Sequence, residues 1–292
     1  MNLLDLVLLA LRQLGKNKLR SGLTVLGVVI GIAAVTTMVS IGQGATALVQ
    51  KQFQNLGSNV IVVLPGRKQR EGALSGQIPT LTAADGVAIA DECPSVKAVT
   101  PFVPTSGQVI GGNVNWTPGE MQGVGVDYPL VRNWPVVSGE FFNESEVAGA
   151  AKVCVIGQTL VTRLFPGSDP IGQTVRVKNI PFRVIGVFAK KGANMVGTDQ
   201  DDILVMPYLT VKKRLQGSAF NNVAALMVSA SSEQLSKKAE EEIRTLLKDR
   251  HRIGPGQQPD FEVTNTTEIA NAFGVITGAL TAMLSAIAAI SL

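Results

Sequence analysis

Few residues in this 292-residue chain have both the type and the spacing that chemistry needs. Gly42, Gly44 and Ala47 satisfy the loose dinucleotide pattern GxGxxA. That pattern works only between a strand and a helix N-terminus, where the glycines let backbone amides approach a pyrophosphate. Here it follows a long apolar run instead. Gly192 and Gly197 are spaced like the glycines of a phosphate-cradling loop, but Thr198 stands where the lysine is needed. Without it the contact to the terminal phosphates is lost, so no ATPase motif is present. Asp199, Asp201 and Asp202 cluster in "GTDQDD". A calcium loop of the EF type needs further oxygen ligands and a closing glutamate, so a polar turn entering the strand "ILVMP" is the simpler reading. His251 is the only histidine, and there is no GxSxG elbow to pair with it. In "KDRHRIG" it suits the negative end of a helix dipole. Cys93 and Cys154 form no CxxC; Cys154 reads as a small apolar residue of a buried strand, and whether the two bridge is open. The chain is therefore read as non-catalytic, with no catalytic, cofactor-binding or metal residue assigned.

The elements around these residues explain more than the residues do. Charged residues make up 16% of the chain, against about 25% in soluble domains, which shifts it toward a membrane protein. The net charge of +4 is concentrated at the start, where Arg12, Lys16, Lys18 and Arg20 stand against Asp5. A basic cluster beside an apolar run fits membrane orientation. Nucleic-acid binding would need a basic face on the folded domain. Ser21 to Gln50 is free of charge. Its apolar part exceeds the roughly 7–15 residues of a signal-peptide core and reaches the ~20 residues that cross a bilayer. The preceding basic residues place the N-terminus in the cytoplasm and the following domain outside. "NLLDLVLLALRQLG" before them reads as an interfacial helix. A second charge-free run, 269–292, is long enough to span back.

The expected layout is an elbow at 1–20, a transmembrane helix at 21–42, a helical stalk at 43–57, an exterior domain, and a second transmembrane helix at 269–292. Within the exterior domain, 58–104 and 219–268 each read β-α-β. "NVIVVLPG", a helix capped by Thr82 and Asp85, and "SVKAVTPFVP" form the first unit. "NVAALMVSA", a helix capped by Ser231 and Gln234, and "DFEVTN" form the second. Residues 105–218 read as short strands between Gly, Pro, Asn and Asp turns, an inserted mostly-β subdomain. The fold class is thus a membrane protein of α+β type, with a porter-like α/β subdomain flanked by transmembrane helices. Gly27 and Gly31 form a GxxxG in the first helix, where small residues let two helix backbones approach.

Three segments carry a family resemblance: "NLGSNVIVVLPG", "VIGQTLVTRLFPGSDPIGQTVRVKNIPFRVIGVF" and "GTDQDDILVMPY". With the surrounding layout, the whole chain resembles MacB-type ABC transporter permeases with an FtsX-like membrane region. The family has four membrane helices, so the resemblance implies a chain cut after the second. It implies a bacterial inner-membrane location and an exterior porter subdomain with a β-rich insertion. It also implies a non-catalytic permease that transmits movement from cytoplasmic ATP hydrolysis to its exterior domain, for efflux or extraction of an unspecified substrate. ATP and Mg would sit on a separate ABC ATPase subunit. A second permease copy would complete a homodimer or heterodimer, membrane lipids would surround it, and there is room for a periplasmic adaptor and outer-membrane duct. The alternative is a membrane-anchored extracytoplasmic binding or sensor module without an ATPase.

Overall fold

The computed structural model describes residues 18–56, 59–66, 69–70, 73–74, 80–194, 197–218, 220–266, 268, 272, 274–280 and 282–283. The chain divides into two compact units. One holds Met1–Gln50 and Ala270–Leu292, the other Lys51–Ile269.

The first unit is built on helix α1 (Lys18–Leu56). Its segment Lys18–Gly44 has mean hydropathy 2.2 with none of it buried, long and apolar enough to cross a membrane. Among the described residues it is the one helix that meets that criterion. Leu23, Val29, Ile30 and Ile41 are all more than half exposed, as a bilayer-facing surface requires and an aqueous one would not tolerate. Residues 1–17 of the expected elbow, with Arg12 and Lys16, lie outside the described residues, while 18–20 belong to α1. So does most of 269–292, of which 274–280 is helical.

The second unit is a sheet backed by helices. Its elements follow in chain order: β1 (Val60–Pro65), a small hairpin of β2 (Gln69–Arg70) and β3 (Ala73–Leu74), α2 (Ala83–Glu92) and β4 (Val96–Thr105). Then come β5 (Val109–Gly111), β6 (Val114–Trp116), β7 (Glu120–Val124), α3 (Tyr128–Val131), β8 (Val136–Gly139), α4 (Glu144–Ala148) and β9 (Val153–Ile156). α5 (Gln158–Leu164), β10 (Thr174–Val177), β11 (Ile180–Phe188), β12 (Ile203–Pro207), α6 (Tyr208–Thr210) and a π-helical turn (Val211–Leu215) complete the middle. β13 (Ala225–Ala230), α7 (Ser236–Arg250) and β14 (Phe261–Asn265) close it.

The two β-α-β stretches do not stand side by side. Their strands interleave in the order β14-β1-β13-β4, all antiparallel, with Val62 opposite Met227 and Thr264. The alternation of each strand decides its faces. Ile61, Val63, Leu226 and Val228 point to the side covered by α2 and α7, where they meet Ile89, Ile243 and Leu247. Val60, Ala98 and Met227 point to the other side, into a second core with Tyr128, Trp134 and Phe188. α2 approaches the sheet so closely that a Cβ on Gly86 would stand 3.1 Å from Leu226 Cδ2.

α2 opens with the capping box at Thr82 and Asp85. α7 begins later than its sequence suggests. Its N-cap is Leu235, and neither Ser231 nor Gln234 caps it; Ser232 Oγ instead accepts from Leu235 N at 3.3 Å.

The stretch 105–218 adds strands to the same sheet, through β4–β7 pairing of Phe102 with Val124, and the path continues β7-β12-β9-β11-β10-β5-β6. Two of its pairings are parallel, β7 with β12 and β9 with β11. Parallel neighbours need a crossover, and α5 supplies one between β9 and β11. The stretch is thus more helical than its turn-rich sequence reads, holding α3 to α6 as well as strands. β10 and β11 join through Lys178 (φ 48°) and Asn179 (φ 68°), the two left-handed residues of a tight primed hairpin turn.

Candidate functional site

The residues singled out by type and spacing fall into three places. Around His251, at the C-cap of α7, the sheet-covering helices are tied by ions. Nδ1 lies 2.8 Å from Asp260 Oδ1 and Nε2 3.5 Å from Asp85 Oδ2. Arg250 Nε donates to Asp85 Oδ1 at 3.0 Å, and Thr82 Oγ1 donates to Asp85 Oδ2 at 2.8 Å. Burial raises the Asp85 carboxyl, but hydrogen bonds from Thr82 and Arg250 and the charge of His251 outweigh it, so the group lies below its ordinary value. Both ring nitrogens of His251 face carboxylates, an arrangement that fixes two helix ends and presents no nucleophile to a base.

The aspartates of "GTDQDD" each stabilise a different turn. Asp199 accepts from Thr159 Oγ1 at 2.5 Å. Asp201, nearly fully buried, accepts from the amides of Lys191 and Gly192 at 2.8 and 2.9 Å. Asp202 accepts from Trp116 Nε1 and Gly119 N, both at 2.8 Å. Among the described residues no three His, Cys, Asp or Glu side chains gather to hold a metal. Gly192 and Gly197 both have positive φ, and Asn194 N donates to Thr198 O at 2.9 Å. Cys93, the C-cap of α2, and Cys154 of β9 are free and buried. Gly27 and Gly31 lie one turn apart on α1, and a Cβ on Gly27 would meet nothing within 4 Å in the single chain. Lys18 and Arg20 are exposed on its first turns.

A concave feature of the second unit lies on the sheet face opposite α2 and α7. It is a cleft of about 480 Å³ floored by Val62 of β1, Met227 of β13 and Phe102 of β4, and bordered by Gln122, Arg132 and Gln200. Sequence spacing gave no hint of it, because its lining comes from strands and loops far apart in the chain. Arg132, the C-cap of α3, holds its end of the cleft through its backbone, whose carbonyl accepts from Lys191 Nζ at 2.9 Å. Lys191 Nζ lies 4.6 Å from the centre of the Trp134 ring. Burial and then the positive charge of Arg132 lower its amine to about 7, against the opposing pull of Asp201. Trp134 in turn stacks on Phe188 at 4.7 Å and donates to Ala189 O at 2.6 Å, which anchors the wall.

This fold has known counterparts. Residues 21–246 match the family model described as MacB-like periplasmic core domain. The chain belongs to that family, a class of extracytoplasmic domains found in membrane transport proteins. It is 35% identical to the macrolide export ATP-binding/permease protein MacB of Syntrophobacter fumaroxidans, over 97% of this chain and 47% of that protein. It is 37% identical to the pyoverdine export ATP-binding/permease protein PvdT of Pseudomonas savastanoi pv. phaseolicola, over 99% of this chain and 42% of that protein. The chain thus spans somewhat under half the length of these curated relatives. The crystal structure of the periplasmic region of MacB from Actinobacillus actinomycetemcomitans has the same fold, with TM-score 0.61 at 24% identity, covering 77% of this chain and 97% of that one. The extracellular domain of the ABC-type transporter YknZ from Gram-positive bacteria superposes with TM-score 0.55 at 20% identity, covering 71% of this chain and all of that one.

Proposed function

We propose that this protein is a permease component of an ABC exporter in the bacterial inner membrane, with α1 crossing the bilayer and residues 58–268 outside. ATP and Mg are bound by a partner ATPase, and the permease acts as a dimer. Hydrolysis in the cytoplasm moves the membrane helices, and the movement passes to the exterior domain, whose change of shape drives efflux or extraction. The observation that carries this reading is family membership over 21–246 together with similarity, over 97% and 99% of this chain, to part of relatives named as export ATP-binding/permease proteins. The physical support is the apolar helix segment Lys18–Gly44 of mean hydropathy 2.2, with basic residues Lys18 and Arg20 at its start and Arg12 and Lys16 before it, which orients by the positive-inside rule. The second copy, an adaptor and an outer-membrane duct follow from the same reading. So does the treatment of 105–218 as an insertion between two porter-like halves.

The test is reconstitution of the full-length permease in proteoliposomes with the ATPase encoded beside it. Stable co-purification and permease-dependent ATP hydrolysis support the reading. A permease that binds no ATPase and remains folded would instead be a membrane-anchored binding module.

A further inference from the structure

Lys191 is held at both of its ends. Its amide and that of Gly192 donate to the two oxygens of Asp201, which is 2% exposed, so its main chain is fixed. Its side chain crosses to the end of α3, where Nζ donates to Arg132 O at 2.9 Å and lies 4.6 Å from the centre of the Trp134 ring. The segment carrying Lys191 meets Trp134 a second time, through Trp134 Nε1 to Ala189 O at 2.6 Å and Ala189 N to Pro135 O at 2.9 Å. The amine therefore fastens the end of α3, and Arg132 at that end lines the cleft.

An ammonium is poorly served in that position. The carbonyl and the ring face attract it, but burial removes its water and the Arg132 guanidinium repels it. Asp201, before β12, is the acid that attracts it, yet both Asp201 oxygens already accept from amides. A neutral amine keeps its bond to Arg132 O and rests its hydrocarbon stem on Trp134. We propose that Lys191 is a proton-operated clasp: neutral, its side chain stays docked on Arg132 O and Trp134; protonated, it turns out to water and frees the end of α3 beside the cleft. Alkaline surroundings close the clasp and acid ones open it. The change is centred where the amine titrates, at about 7. The clasp belongs to the exterior domain and does not depend on how ATP hydrolysis is coupled, so its failure would leave the permease reading intact.

The test uses the full chain in nanodiscs with Trp116→Phe, which leaves Trp134 as the one tryptophan. Acrylamide quenching of Trp134 fluorescence is read between about pH 5.5 and 8.5. Quenching is expected to rise as pH falls through about 7. Lys191→Met keeps the stem and has no proton to gain, so it should stay at the low level throughout. Competitive acetylation followed by mass spectrometry reads the Lys191 amine directly and is expected to give the same midpoint, which decides the matter even where Lys191→Met fails to fold. A flat quenching profile, a rise that Lys191→Met retains, or an acetylation midpoint near the ordinary 10.5 would overturn the proposal.

Discussion

Arg250 Nε stands 3.0 Å from Asp85 Oδ1, joining the C-terminal end of α7 to the first turn of α2 across 165 residues of sequence. The same carboxylate completes the capping box with Thr82. One side chain thus satisfies helix-end donors and docks the two sheet-covering helices to each other.

Asp85→Ala is expected to destabilise the exterior domain by about 2 kcal/mol, from the lost cap and the buried charge-assisted bonds. Arg250→Ala removes only a partly exposed partner and should cost less, about 1 kcal/mol or below. Because the Asp85 carboxyl is lowered on folding, its contribution is complete above the ordinary carboxylate range near pH 4 and fades as pH falls below it. Urea denaturation followed by circular dichroism at pH 7 and pH 3.5 reads both effects. Equal losses for the two variants would contradict the shared role of Asp85.

Lys191 is shifted in the same direction but acts in a higher pH window. Its amine titrates at about 7 in the folded protein and near 10.5 when unfolded. Between those values the unfolded chain holds the extra proton, so wild-type stability should gain with rising pH from about 7 to about 10. Lys191→Met should abolish that gain. Denaturation midpoints at pH 7 and 9.5 that move in parallel for both proteins would show that the amine titrates normally.

Gly139 tests close packing against conformation alone. Its φ is +72°, and a Cβ there would lie 2.1 Å from Ile185 O. Gly167 has φ +76° with open space around it. Gly167→Ala should therefore cost about 1 kcal/mol, the left-handed penalty. Gly139→Ala should cost clearly more, because backbone must move as well. The comparison is made by thermal melting of the two variants.

The Gly27→Leu, Gly31→Leu double variant probes α1. If these residues meet a neighbouring helix during transport, the substitution should weaken permease dimerisation or its stimulation of the ATPase. Cross-linking and ATP hydrolysis in proteoliposomes measure this, and unchanged values would remove the contact.

Cys93 and Cys154 should resist maleimide in the native protein and react together on denaturation. Burial, followed by Glu242 and Glu92, pushes the Cys93 thiol up to about 11, and burial raises Cys154 as well. Mass spectrometry counts the labels, and rapid native labelling of either would show an opening that exposes it.

Several elements were legible because they are local. α2 announces itself by Thr82 and Asp85 and the apolar spacing after them. The strands in "VIVVLP", "ALMVSA" and "FEVTN" show β-rich apolar runs bounded by turn residues. The aromatic wall was not legible: Tyr128, Trp134, Phe142 and Phe188 are scattered through a stretch that reads as loops and short strands. They become one core only when β11 lies against β8 and β9. The start of α7 was misplaced because two polar residues looked like caps, whereas the observed N-cap is an apolar residue with no side-chain bond.

The sequence alone determined the apolar helix, its basic flank, the identity of most strands and the lack of a catalytic motif, since each depends on composition or spacing within one element. Tertiary structure decided how strands from the two ends of the chain interleave and that β4–β7 pairing joins the middle stretch to them. It also decided that Arg132 and Gln200 line one cleft with Val62, Phe102 and Met227. Those outcomes depend on hydrogen bonding and burial between distant segments, and such pairings leave no periodic mark in the sequence of either partner.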